Sequence, residues 1–197
     1  MSDKMVKQDF MIIVALVALV VGFLIGVVFS SMQATKTSSP VARQQFAPPP
    51  GQSGAGITPE QANQILSLEN EVAANPQNVE AWTNLGHIYF DTNSVTKAIN
   101  AYNKSLGLDP NNANVWTDLG VMYRRNNQPY EAIKAFDRAI SISPTHEQSR
   151  FNKGVVLFYD LNDKAGAKKV WEDLLTVNPL AMTPNGQPVK DLIATVE

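Results

Sequence analysis

The 197-residue chain contains no cysteine. That excludes disulfides, thiolate metal sites, a cysteine nucleophile, covalent haem attachment and a lipidated N-terminal cysteine. Neither sign of charge dominates: 16 Lys+Arg face 18 Asp+Glu, a net charge of −2, with no run of like charge. From residue 57 onward, 12 basic and 16 acidic side chains leave −4. This balance argues against nucleic acid as a partner, since such binding rests on neutralising phosphates. Histidine is scarce, with only His87 and His146. There is no phosphate-cradling glycine loop and no zinc-type Cys/His spacing. His87 and Asp91 stand four apart on a predicted helix, a spacing that could hold a metal or form an acid–base pair. No third ligand or nucleophile is placed to join them, so they read as a solvated polar face. No catalytic residue, metal ligand or cofactor is assigned, and the chain is not expected to be an enzyme.

Hydrophobic residues make up 44% of the chain, but many are gathered near its start. Residues 10–29 read FMIIVALVALVVGFLIGVVF, without a charge. At ~1.5 Å per residue they span ~30 Å, the thickness of a bilayer's hydrocarbon core. The run is too long for the apolar part of a typical signal peptide, and the following Ser30-Ser31-Met32-Gln33-Ala34 is a poor cleavage site. Residues 10–30 are therefore expected to be a single transmembrane helix after a cytoplasmic tail, 1–9. Lys4 and Lys7 before the span, against Lys36 close after it, favour an exported C-terminal domain. In a bacterial cell this means the inner membrane with the domain in the periplasm. Ala18, Gly22, Gly26 and Ser30 form a stripe of small residues along which a second helix could pack.

Residues 31–57 are dominated by Pro, Gly, Ser, Gln and Ala, too polar to offset their ordering entropy. They read as a flexible tether of about 30 Å end-to-end span. Thr58-Pro59-Glu60-Gln61 then starts a helix by capping box, with Ile65, Leu68 and Val72 on one face until Asn75-Pro76. This capping helix covers 58–76.

Beyond it the sequence repeats. Trp82-x-x-Leu85-Gly86-x-x-Tyr89 returns as Trp116-x-x-Leu119-Gly120-x-x-Tyr123, and Ala98, Tyr102 and Pro110 return as Ala132, Phe136 and Pro144, all 34 residues later. A period in this range marks a stacked helical array. The glycines let a second helix pack close and the tryptophans fill space between units. The alanines sit where volume is short, and the prolines end each unit.

The combination resembles the tetratricopeptide repeat family, which implies an all-α superhelix of antiparallel helix pairs after the transmembrane helix and linker. Two full units cover 79–112 and 113–146. A degenerate third covers 147–181, with Arg150 in the tryptophan's place. Its Ala167, Trp171, Leu174 and Pro179 fall one residue late, as if one were inserted near 161–164. A C-terminal helix over 188–197 has Val189, Leu192, Ile193 and Val196 on one face, either to cap the last unit or to enter the groove.

The resemblance implies a concave groove lined by the first helix of each unit. It would use Glu80, Thr83, His87, Phe90 and Asp91, then Asn114, Thr117, Val121, Arg124 and Arg125, then Gln148, Phe151, Val155, Phe158 and Tyr159. The family's chaperone-binding members grip a terminal carboxylate with Lys and Asn. Here Thr83, His87, Asp118, Gln148 and Asn152 hold those places, so that activity does not carry over. Arg124 and Arg125 either answer the helix dipole or recognise a carboxylate. The implied function is a membrane-tethered module that binds a peptide segment of another protein. The layout is similar to membrane-anchored repeat proteins of cytochrome c maturation. The alternative is a self-associating scaffold, a homo-oligomer organising an envelope complex.

Overall fold

The computed structural model describes residues 56–196, within the compact unit Ser53–Glu197. The tail, the predicted span with Ala18, Gly22, Gly26 and Ser30, and the linker up to residue 55 lie outside the described residues. Among those described, no helix is long and apolar enough to cross a membrane.

Helix α1 (Pro59–Ala74) begins with a reciprocal capping box: Thr58 Oγ1 accepts from Gln61 N at 3.1 Å, and Gln61 Oε1 accepts from Thr58 N at 3.0 Å. Three helix pairs follow: α2 (Val79–Asp91) with α3 (Val95–Leu108), α4 (Ala113–Arg125) with α5 (Pro129–Ile142), and α6 (Glu147–Val155) with α7 (Lys164–Val177). A short α8 (Val189–Ala194) closes the row. Each first helix is capped at the same point of the period. Asn78 and Asn112 accept from Ala81 N and Val115 N at 3.1 and 3.2 Å, and His146 Nδ1 accepts from Ser149 N at 3.3 Å. Asn93, Asn127 and Asn162 turn the chain between the helices of a pair with φ of 54°, 57° and 54°. Asparagine reaches this left-handed region at low cost because its short side chain can hydrogen-bond locally.

Packing within a pair is set by a glycine beneath an aromatic ring. A Cβ on Gly86 would overlap the Tyr102 ring, one on Gly120 would overlap Phe136, and one on Gly154 would overlap Trp171. All three rings are fully buried. One continuous core runs from Ile65 and Val72 of α1 through Leu85, Tyr102 and Leu106 to Leu119 and Met122 of α4. The Tyr102 hydroxyl has no hydrogen-bond partner among the described residues, an arrangement costing about 1–3 kcal/mol that Phe136 avoids.

Two expectations need correction. Trp82 and Trp116 are only half-buried. Besides touching the core, their indole N–H groups donate to the carbonyls of Pro76 and Pro110 at 2.9 Å, tying down the preceding loop. The extra residue of the third unit lies not at 161–164 but in a π-helical turn, Val156–Asp160. Gly86–Tyr102 and Gly120–Phe136 are 16 positions apart, whereas Gly154–Trp171 is 17. Widening one turn absorbs the residue and keeps the ring over the glycine. At the C-terminus α8 packs on α7, burying Val189, Leu192 and Val196.

Candidate functional site

The first helices α2, α4 and α6 lie side by side, and polar bonds stitch their seams. Between α2 and α4, His87 Nε2 lies 3.4 Å from Asp118 Oδ2. The hydrogen bond to Asp118 raises the His87 pKa above 6.5 against the opposing effect of burial. The Arg125 guanidinium rests 4.4 Å above the Phe90 ring and donates to the Phe90 carbonyl at 3.4 Å. Between the second and third units, Arg124 Nε donates to Asp160 Oδ2 at 2.5 Å. Thr117 and Ser149 share a hydrogen bond of 2.6 Å, and His146 Nε2 lies 2.9 Å from Asn114 Oδ1. With Nδ1 accepting at the helix cap, the network assigns the His146 proton to Nε2. Burial lowers the pKa of this ring.

These seams divide the expected groove residues. Glu80, His87, Asp91, Asn114, Arg125, Gln148 and Tyr159 are exposed, and Thr83, Phe90, Val121, Arg124 and Phe158 are partly so. Thr117, Phe151 and Val155 are 1%, 7% and 4% exposed, so their side chains form core and seam rather than groove surface. Thr117 faces Ser149 across the seam. The Phe151 ring stacks on Trp171 with centroids 6.4 Å apart, and Phe158 tilts against the same indole at 6.0 Å. The apolar-aromatic end of the groove is therefore largely covered. Arg124 and Arg125 each contact a neighbouring unit besides ending α4.

A cavity of about 440 Å³ opens at the other end, between α1 and α2. Gln64, Ser67 and Leu68 line it from α1, and Asn84, His87, Ile88 and Asp91 from α2. Of these only His87 and Asp91 were expected at the site. Sequence reasoning missed the α1 contribution because the resemblance assigns the groove to first helices alone. The signal was available in the period, as α1 precedes α3 by 34 residues throughout. No group of three or more His, Asp or Glu among the described residues could hold a metal ion.

The repeat signature and the paired helices agree with the comparisons. A family model described as TPR repeat matches residues 86–127, and one described as Tetratricopeptide repeat matches 113–146. Residues 86–146 carry tetratricopeptide repeats. Among solved structures, the repeat array is similar in fold to a crystal structure of MamA. The TM-score is 0.59 and the identity 24%, over 61% of this chain and 70% of that one. It is also similar to the first TPR of Spaghetti (RPAP3) bound to the HSP90 peptide SRMEEVD. There the TM-score is 0.53 and the identity 22%, over 61% of this chain and 90% of that one. At these identities the likeness is one of fold. No curated protein sequence matches the chain.

Proposed function

We propose that the protein is a protein-interaction module that holds a peptide segment of another polypeptide along the inner face of its repeats. The observation carrying this is the row of polar side chains exposed on the first helices, from Asn84 and His87 through Asn114 to Gln148, of which His87 and Asn114 also bond across the seams. Such a row supplies donors and acceptors at intervals suited to an extended backbone. A neighbour of the same fold holds a peptide, which supports the class of ligand and not its identity.

The finer reading is a bacterial inner-membrane protein. Residues 10–30 anchor it, residues 31–57 tether it, and the repeats work in the periplasm in the maturation of envelope proteins such as c-type cytochromes. A tether raises local concentration at the membrane, so a micromolar interaction suffices. The competing scaffold reading draws on Leu180 and Met182, 83% and 55% exposed. A monomer in detergent, unchanged in size by Gly22→Leu and Gly26→Leu, removes it.

A photo-crosslinking residue placed at Val121 on the inner face is expected to capture discrete polypeptides in cells, and one at Lys134 on α5 is not. Equal capture from both faces would defeat the groove reading.

A further inference from the structure

We propose that the cavity between α1 and α2 is a binding site for a basic side chain, arginine or lysine, carried by the segment held in the groove. The inference rests on the groove reading above and adds the chemistry of one subsite.

Helix α1 stands in register with the second helices of the later pairs, and among the described residues no first helix lies beside it. One period on, Gln64, Ser67 and Leu68 become Ala98, Ala101 and Tyr102, and two periods on, Ala132, Ala135 and Phe136. In the complete units these positions are buried, the alanines giving way to the close approach of the paired helix. In α1 the two alanines are replaced by polar residues, and Gln64 and Ser67 are exposed. Their side chains, and that of Asn84, have no hydrogen-bond partner among the described residues. The cavity thus joins the apolar Leu68 and Ile88 to uncommitted amide and hydroxyl groups, whose oxygens can accept from the head of a long side chain while its methylene stem lies on the apolar pair.

Asp91 decides the sign of the ligand. It is the last residue of α2, where a carboxylate faces the negative end of the helix dipole and opposes the fold. It forms no ion pair within 4 Å and no hydrogen bond among the described residues. The neighbouring cations make their direct contacts elsewhere, Arg125 on the Phe90 ring and carbonyl and His87 on Asp118, and reach Asp91 only through longer-range attraction. Of the charged groups lining this cavity, Asp91 is the one without a direct partner among the described residues. A residue that works against its own helix, in a cavity lined by polar groups without partners among the described residues, is placed for binding rather than stability.

The test uses the full-length chain immobilised in detergent micelles and a degenerate pool of ten-residue peptides, with the retained fraction sequenced. Retained peptides are expected to be enriched in arginine or lysine at one position, on the order of tenfold, the worth of a charge-assisted hydrogen bond. Asp91→Asn, which relieves the dipole conflict and leaves the core untouched, is expected to abolish the enrichment with the retained amount and the melting temperature little changed. Gln64→Leu, which replaces the amide in the cavity lining with apolar atoms, has the same expected result. Retention without basic enrichment, enrichment in acidic residues, or basic enrichment that survives Asp91→Asn overturns this site and leaves the groove reading standing. Retention of no peptide by the wild-type chain brings down the groove reading and this inference with it.

Discussion

The second and third repeats solve one packing problem with different residues. In the second, the tryptophan sits on the first helix, half-buried, and its indole holds the Pro110 carbonyl, while Phe136 fills the pocket over Gly120. In the third, Arg150 takes the tryptophan's place and bonds the His146 carbonyl at 3.4 Å, while Trp171 fills the pocket over Gly154. The indole has moved from rim to core, where its N–H donates to the Phe151 carbonyl at 3.1 Å. The extra residue is taken up in a π turn. What the array requires is a large ring over a glycine and a tied loop, and neither requires tryptophan at a fixed place.

The comparison is broken most directly at its aromatic centres. Trp171→Ala, at a fully buried site, is expected to cost about 3–5 kcal/mol, measured by denaturant unfolding. Trp116→Ala should cost only about 1–2 kcal/mol, a partial burial plus one hydrogen bond. Equal losses would mean that rim and core tryptophans are not distinguished as described. Next comes overpacking: Gly120→Ala forces a methyl group into the Phe136 ring and should lower stability by about 1–3 kcal/mol. An unchanged melting temperature would show that the helix pair can open at no cost.

The smallest effects sharpen the comparison of the two seams. His146 has its pKa lowered, so its contribution is full above 6.5 and is lost as pH falls below 6.5 toward the folded value. Protonating Nδ1 would also remove the cap on α6. His87 has its pKa raised, so its contribution is full below 6.5 and is lost as pH rises through the folded value. Both rings are partly solvated, which keeps each effect below about 1 kcal/mol. His146→Asn, the cap used at Asn78 and Asn112, should retain the cap and remove the acid sensitivity of the third unit. His87→Gln should remove the gain at low pH. Melting followed from about pH 8 to pH 5 separates them, and acid loss that persists in His146→Asn would refute the assignment.

Much of the fold was legible because its mechanical demands are local and recur. A glycine, a facing ring, an alanine and a helix-ending proline leave the same mark every 34 residues. The groove was legible only in part. Thr117, Phe151 and Val155 sit at inner-face positions by count, but whether such a residue meets solvent depends on its neighbour across the seam. Ser149 meets Thr117 from 32 positions away, and Trp171 stacks on Phe151 from the paired helix. The cavity beside α1 was missed for a related reason: Gln64 and Ser67 are unremarkable on one helix and become informative only against the alanines that replace them later.

The chain alone therefore determined the period, the number of helix pairs and the capping box at Thr58, since these follow from steric and hydrogen-bonding rules acting over a few turns. Tertiary structure decided where the extra residue went, which rings became core, and which of two nearby charges, His87 or Asp91, was left unpaired. Those outcomes depend on contacts between helices, and a helix-facing pattern records that a side chain points inward without recording what it meets there.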